Sequence, residues 1–502
     1  MSKEDSRANR LIIVSNRLPI VLSRDRQGAW QIESGSGGLV TALAPVLRDR
    51  GGIWIGWPGA FAEDSSKMET LLARATKDAG YSLRPVALDA EDIDQYYRGF
   101  SNEVLWPLFH DLQSRCRFDP SYWKAYQRAN EKFAQIIAQN ARQDDFIWVH
   151  DYHLMGVARG LRKLKVKTRC GFFLHTPFPP MDVYVKLPWR FQILLSLLEY
   201  DLIGFQTIRD RRNFLQCIRH LVPGTKISGR GQVMTLAFGK RILRVGSFPI
   251  SIDFNEFANL ARTKKVADQA WYIHEDLPNQ QIILGVDRLD YTKGVPEKLM
   301  AFRNALCRFP ELMEKVVLIQ VLVPSRRAIP EYEDLKIEIE RMVGEINGQL
   351  TRSGWVPIHY IFRQLDRPEL LAYYRTAEAA LITPLKDGMN LVAKEYCASN
   401  LEKTGVLILS EFAGATAQLQ DGALLVNPHD IEGMAETIYQ AYRMNEDEKR
   451  TRMRKLRRSI RKSDIFWWVN SFLEAAIAKR LDNFPVMEDY APRAQMEETE
   501  GS

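Results

Sequence analysis

Residues 384–396, PLKDGMNLVAKEY, hold the side chains of this sequence best placed to do chemistry. They follow an apolar run at 379–383 that reads as a buried parallel strand. The chain then breaks at Asp387-Gly388 and enters a helix, with Asn390 as its N-cap and Lys394 and Glu395 in its first turns. A strand, a glycine turn and a helix N-terminus place free backbone N–H groups at the carboxyl edge of a sheet, where α/β proteins bind ligands and anions. Asp387 can accept hydrogen bonds from hydroxyls, and Glu395 can hold a vicinal diol such as a ribose. A sugar joined to a nucleotide offers both kinds of hydroxyl. Alone, the same pattern also describes an ordinary capped unit with two solvated carboxylates.

A second segment, IILGVDRLDYTKG at 282–294, is a buried strand followed by a loop with two cations. Arg288 can grip phosphate oxygens in a fork, and Lys293 adds a compact point charge. Charge held ready for a departing diphosphate is often the largest catalytic contribution. In isolation these are two surface cations. In the first half, WVHDYH at 148–153 and GFFLHTPFP at 171–179 each follow a strand and place Asp151 and His175 at its carboxyl end. His150, His153 and His175 hint at metal, but no carboxylate or cysteine completes a ligand set at the usual spacing. His150 and His153 read as satisfied core histidines.

Residues 96–107 are aromatic-rich and irregular, and fit either a wall on which a sugar stacks or ordinary core packing. Arg17 and Arg326 each follow a strand and are surface arginines by default. The cluster Gly35-Ser36-Gly37-Gly38 is weak evidence for phosphate binding. Asp92-Ile93-Asp94 matches the Asp-x-Asp of metal-dependent glycosyltransferases of another fold. It lies in a charged segment, 89–94, that looks like a helix start, and is read as capping and solvation.

The elements that must position these residues alternate along the chain. Strand-like runs at 11–15, 146–150, 171–175, 282–286, 316–323, 379–383 and 406–410 are separated by helical patterns, a rhythm that implies parallel sheets covered by helices. Residues 19–33 look like a hairpin turning at Arg26-Gln27-Gly28. A chain of 502 residues is too long for one core. The expected organisation is an N-terminal Rossmann-like domain at 1–250, a second at 251–463, a helical segment at 464–485 too apolar to lie free, and a disordered tail at 486–502.

Net charge is +7, but it is spread along the chain. The one dense basic run, 449–462, has helical spacing and no aromatic stacking motif, so it reads as a solvated helix face and not as a nucleic-acid surface. Five scattered cysteines without a Cys-x-x-Cys pair read as buried free thiols in a reducing compartment. The first residues have no apolar core and no uncharged run reaches membrane-span length, so a cytoplasmic chain without a membrane partner is expected. A homo-oligomer is compatible with the sequence, which does not fix the assembly.

From about Leu11 to about Asn470 these strings, in this order, resemble the trehalose-6-phosphate synthase family, glycosyltransferase family 20. These retaining enzymes join glucose from a nucleotide sugar to glucose 6-phosphate. The resemblance implies a GT-B fold of class α/β, two doubly wound domains facing a central cleft. Pattern alone also allows other two-domain Rossmann-like proteins. It implies that Arg17, Tyr97, Trp106, Asp151 and Arg326 bind the acceptor, with Arg17 and Arg326 on its phosphate. It lays Gly37 and Gly38 against the donor phosphates and assigns the donor to His175, Arg288, Lys293, Leu365, Asp387, Gly388, Met389, Asn390, Leu391 and Glu395. Asp151, His175, Arg288, Lys293 and Asp387 would then be the catalytic set, with no metal and no cofactor. The expected donor is UDP-glucose. Leu365 stands where relatives can carry an aromatic residue near the base, which leaves the base preference open. The rival readings are a related synthase, such as glucosylglycerol-phosphate synthase, and a catalytically silent sugar-phosphate sensor.

Overall fold

The computed structural model describes residues 10–24, 30–34, 38–59, 65–325 and 330–477. They divide into two compact units. The first runs to Asp253 and takes in the chain again from Lys462, and the second spans Phe254–Arg461. Among the described residues, no helix is long and apolar enough to cross a membrane.

The first unit is built on a nine-stranded sheet. Its strands are β1 (Leu11–Arg17), β4 (Gly52–Trp57), β5 (Ser82–Pro85), β6 (Phe146–His150), β7 (Arg169–Phe173), β8 (Leu202–Phe205), β9 (Thr225–Ser228), β10 (Val233–Phe238) and β11 (Arg241–Ser247). The order is β5-β4-β1-β6-β7-β8-β11-β10-β9, parallel from β5 to β11 and antiparallel beyond it. The strands β2 (Ile20–Arg24) and β3 (Trp30–Ser34) pair as a separate antiparallel hairpin, whose turn lies outside the described residues. The β1 run Leu11–Val14 is buried on both faces, as helices covering a parallel sheet require. From β1 the chain builds outward through β4 to β5, then returns to β1's other side with β6. The order therefore reverses between β1 and β6.

The second unit repeats this plan with six strands: β12 (Gln281–Arg288), β13 (Val316–Val323), β14 (Ile358–Ile361), β15 (Ala379–Ile382), β16 (Val406–Ser410) and β17 (Leu424–Val426). All pair in parallel, in the order β14-β13-β12-β15-β16-β17. Here the reversal lies between β12 and β15. A crevice at the carboxyl ends of the strands flanking such a reversal is the usual ligand site of an open α/β sheet.

The helix Ile465–Ile477 packs on the first sheet. Phe472 stacks on Trp148 of β6 with ring centroids 4.3 Å apart, and Trp468 Nε1 donates to the Phe248 carbonyl at 3.0 Å. Gly204 in β8 makes room for this contact, since a Cβ there would stand 2.7 Å from the Phe472 ring.

Several local expectations change. The strand expected at 171–175 is β7 at Arg169–Phe173, so His175 stands in the loop beyond it. Residues 96–107 are not irregular. Ile93–Leu105 form a π-helix of 13 residues, followed by a short α-helix Trp106–Phe109. Its wide turns are held from inside, where Asn102 Nδ2 donates to the Tyr97 carbonyl five residues back at 2.6 Å. Asp89 caps the turn leading into it, through a reciprocal pair of bonds with Asp92. Asp92 is not solvated. It is fully buried and paired to Lys132, with Arg128 Nη2 at 3.7 Å.

The basic helix Glu446–Lys462 is not solvated throughout, because Lys449 and Arg457 are buried. Arg457 Nη1 donates to the carbonyls of Cys397, Ala398 and Asn400 at 2.6–2.9 Å, filling the open end of the helix Leu391–Ser399. All five cysteines are free thiols, but Cys307 is exposed and Cys116 half-buried.

Candidate functional site

In the first unit the candidate residues gather where the strand order reverses. Arg17 ends β1 and is exposed, with its guanidinium 4.7 Å from the Trp57 ring centroid and 5.6 Å from that of Tyr97. Such stacking holds a cation in place without neutralising it. Trp57 ends β4, the strand beside β1. Sequence reasoning missed it, although an aromatic residue closing the strand next to Arg17 was the available signal. Tyr97 is carried by the π-helix and stacks on His153 at 5.8 Å. Trp106 is buried at the start of the short α-helix that follows, 5.7 Å from the Tyr152 ring. Tyr152 Oη donates to Asn102 Oδ1 at 3.3 Å, tying the π-helix to the loop after β6.

Asp151 opens that loop with φ +74° and ψ 165°. This region is reserved almost wholly for glycine and costs on the order of 1–3 kcal/mol. Its N–H donates to the Phe173 carbonyl at 2.8 Å, and its Oδ1 accepts from the His175 backbone N–H at 3.3 Å. The strained turn thus aims a carboxylate at the end of β6 and locks it to the loop that bears His175. The His175 ring is buried, between His150 Nδ1 at 3.1 Å and Gln206 Nε2 at 3.3 Å. Burial pushes its pKa down to about 3, and burial together with the neighbouring His175 ring pushes His150 far down as well. Burial thus favours the neutral form of both rings.

The second unit gathers its candidates where β12 meets β15. Arg288 ends β12 and is exposed. Beneath that strand end lies a buried network in which Asp287 Oδ2 accepts from Lys298 Nζ at 2.5 Å and Gln320 Nε2 at 3.1 Å. After Arg288 the chain turns through Asp290, whose Oδ1 accepts from the Thr292 N–H at 3.0 Å and from Thr292 Oγ1 at 2.9 Å. Gly294 follows at φ +63°, where a Cβ would lie 2.6 Å from the Thr383 carbonyl. Only glycine lets this loop press against the one leaving β15. The Leu385 N–H completes the seam by donating to the Thr292 carbonyl at 2.9 Å.

Across the seam Lys293 Nζ pairs with Asp387 Oδ2 at 2.6 Å, both side chains about nine-tenths buried. Asp387 Oδ1 accepts from the Met389 N–H at 3.1 Å, and Oδ2 from Asn390 Nδ2 at 3.3 Å. Asn390 caps the helix Leu391–Ser399 from a left-handed conformation, its Oδ1 accepting from the Ala393 N–H. Gly388 passes so close to Gly414 that a Cβ on Gly414 would lie 1.9 Å from the Gly388 carbonyl oxygen. Leu391 is buried and Met389 half-buried.

Glu395 is half-buried in the next turn and accepts from Tyr374 Oη at 2.9 Å. Burial raises its pKa above the usual carboxylate range. Beside it Lys394 is buried, reaches Gln418 Oε1, and is held down to about 7 by burial. Leu365 is also buried, between the edge strand β14 and the helix Arg367–Thr376. Gly38 starts the helix Gly38–Arg50. Gly37 and Arg326 lie outside the described residues. Among the described residues, no group of three or more His, Cys, Asp or Glu side chains could hold a metal ion.

Each unit thus presents a charged, partly organised cluster at its topological switch, one with aromatic walls and one with helix N–H groups. Residues 9–478 match the model of glycosyltransferase family 20. The chain belongs to that family. It is 41% identical over 469 residues to the trehalose-6-phosphate synthase of Mycobacterium avium, covering 92% of this chain and 94% of that protein. It superposes with a TM-score of 0.83 and 36% identity on the UDP-forming alpha,alpha-trehalose-phosphate synthase of Burkholderia xenovorans in complex with glucose-6-phosphate, covering 93% of this chain and all of that one. An E. coli structure of this kind bound with UDP-2-fluoro glucose gives 0.81 and 35%, over 93% and 99% of the two chains. The family 20 assignment and the GT-B architecture, with its two sheet-based α/β units, are those expected from the sequence.

Proposed function

We propose that this family 20 chain is a retaining glucosyltransferase that moves glucose from UDP-glucose to glucose 6-phosphate, giving α,α-trehalose 6-phosphate and UDP. The observation that carries the reading is the near full-length likeness to synthases captured with glucose-6-phosphate and with a UDP-glucose analogue.

In this reading Arg288 and Lys293 face the diphosphate as the glycosidic bond breaks. Lys293 is held in place by Asp387, so its ammonium needs no reorganisation when charge develops. Asp387, Gly388 and the N–H groups behind Asn390 hold hydroxyls of the transferred glucose, with Met389 and Leu391 beside them. Glu395 takes the ribose diol, while Leu365 and the Gly37-Gly38 backbone complete the donor site. Arg17 and Arg326 take the acceptor phosphate, Tyr97 and Trp106 wall its sugar, and Asp151 holds the reacting hydroxyl. His175 meets the donor glucose near its hydroxymethyl group. The leaving diphosphate assists deprotonation of the acceptor, so no enzymic nucleophile is required. Free thiols at all five cysteines support a reducing, cytoplasmic setting.

The test is a matrix of UDP-, ADP- and GDP-glucose against glucose 6-phosphate and glycerol 3-phosphate. UDP-glucose with glucose 6-phosphate is expected to give the highest kcat/KM. Preferential transfer to glycerol 3-phosphate, or no transfer at all, would overturn the reading.

A further inference from the structure

Two of the buried histidines of the first unit, His150 and His175, belong to a hydrogen-bonded chain whose direction can be worked out. It begins at the Ile250 backbone N–H, 2.8 Å from the side-chain amide of Gln206. A backbone N–H can only donate, so the atom it meets is the amide oxygen. The other end of that amide is therefore the NH2 group, and it stands 3.3 Å from His175 Nδ1. An NH2 group can only donate as well, so His175 Nδ1 accepts and carries no proton. A neutral imidazole protonated at one nitrogen must then bear its hydrogen on Nε2. That nitrogen lies 3.1 Å from His150 Nδ1, which has to accept. His150 in turn bears its hydrogen on Nε2. All three side chains are more than nine-tenths buried, and His150 Nε2 has no hydrogen-bond partner among the described residues.

We propose that Gln206 is a positioning residue that fixes His175, and through it His150, as neutral Nε2–H imidazoles, so that the ring beside the transferred sugar carries no positive charge. Protonation of His175 would set an N–H against the Gln206 NH2 group, donor against donor. Burial opposes the same protonation independently. The catalytic consequence rests on the proposed function, which puts His175 next to the donor glucose. There positive charge develops on the sugar as its glycosidic bond breaks, and an imidazolium would repel it. The His175 backbone N–H is bonded to Asp151, so the loop that bears the locked ring is tied to the acceptor-holding carboxylate on the neighbouring loop.

The test has two arms. Long-range 1H–15N spectra of the full chain labelled at histidine, assigned with His150→Gln and His175→Gln, should show both rings as Nε2–H tautomers at pH 7 without substrate. An Nδ1–H tautomer or an imidazolium at either position overturns the proposal. Gln206→Glu keeps an oxygen for the Ile250 N–H but replaces the NH2 donor with an acceptor. His175 should then move to an Nδ1–H or doubly protonated form. The kcat should fall by about tenfold or more, less than a reacting histidine loses in its wrong tautomer, with both KM values nearly unchanged. An unchanged His175 spectrum or an unchanged kcat overturns the proposal. If the variant fails to fold, the wild-type spectrum decides alone. Failure of the substrate matrix would remove the assigned reaction and leave the tautomer result standing.

Discussion

Asp151 combines a strained backbone with a proposed functional carboxylate, and the two can be separated by what replaces it: any loss of the carboxylate should lower activity, while only glycine should relieve the strain. The comparison is Asp151→Ala against Asp151→Gly. Both lose the 3.3 Å bond from the His175 N–H, so that loss cancels between them. Both should lose about 1.5–3 kcal/mol of binding to the acceptor hydroxyl, a ten- to hundred-fold fall in kcat/KM for glucose 6-phosphate. They differ at φ +74°. Alanine keeps a strain on the order of 1–3 kcal/mol, whereas glycine sheds it. Glycine gives back about 0.5–1 kcal/mol through the greater freedom of its unfolded chain. From the middle of each range the glycine variant should be the more stable by about 1 kcal/mol, which moves the melting of a unit this size by about 2–4 °C. Calorimetry and initial rates on the same preparations read both effects. A glycine variant that melts at or below the alanine one would refute the strain argument. Wild-type kcat/KM in either variant would refute the role given to the carboxylate.

Arg288→Ala and Lys293→Ala should each lower kcat by about a hundred-fold or more, but only Lys293→Ala should also lower the melting temperature. Arg288 is exposed, whereas Lys293 leaves Asp387 without its cation; equal melting points would show that the pair adds nothing to the fold. Glu395 has a folded-state pKa raised mainly by burial, so in the window between its ordinary and raised values the folded chain holds a proton that the unfolded chain has released. Stability therefore falls as pH rises through that window. Glu395→Gln should remove that fall, melting higher than wild type at pH 8 relative to pH 4 while raising the KM for UDP-glucose. A melting difference independent of pH would count against the burial argument, and equal KM effects on both substrates would make Glu395 purely structural. Gly414→Ala should raise the UDP-glucose KM about tenfold by driving the Gly388 carbonyl aside, with strain on the order of 1–3 kcal/mol. An unchanged donor KM would mean that the loop can yield.

The strands that sequence reasoning located are the long apolar ones at or near the two switch points. Val316–Val323 and Phe146–His150 appear with the expected bounds because both faces are covered, leaving an unbroken apolar run. Thr225–Ser228 and Ile358–Ile361 were missed because edge strands are short and only partly buried. The short β17 and β5 gave too little pattern for the same reason of length. The π-helix was illegible for a different reason. Its contacts are the Asn102 bond to the Tyr97 carbonyl within the segment and the Tyr122 ring over Gly99 from outside it, where a Cβ would stand only 2.7 Å from the ring, and neither leaves a periodic pattern in the sequence.

What the sequence showed of the site was the residues that would touch ligand, and what it withheld was their partners. A motif names Lys293 and Asp387, but 94 residues separate them, and nothing in either string says that they meet. The pairing follows from topology: β12 and β15 are neighbours at the reversal, so the loops leaving them must run side by side. The same holds for Arg17 and Trp57, which end adjacent strands β1 and β4. It holds again for His175 and Gln206, which leave β7 and β8. In the last two pairs one member carries an evident chemical signal and the other is an ordinary residue at the same sheet edge. Once strand order is known, the residues just past the carboxyl ends of neighbouring strands become a short set of candidate partners. A buried amide such as Gln206 can then be found by asking which side chain satisfies a buried imidazole.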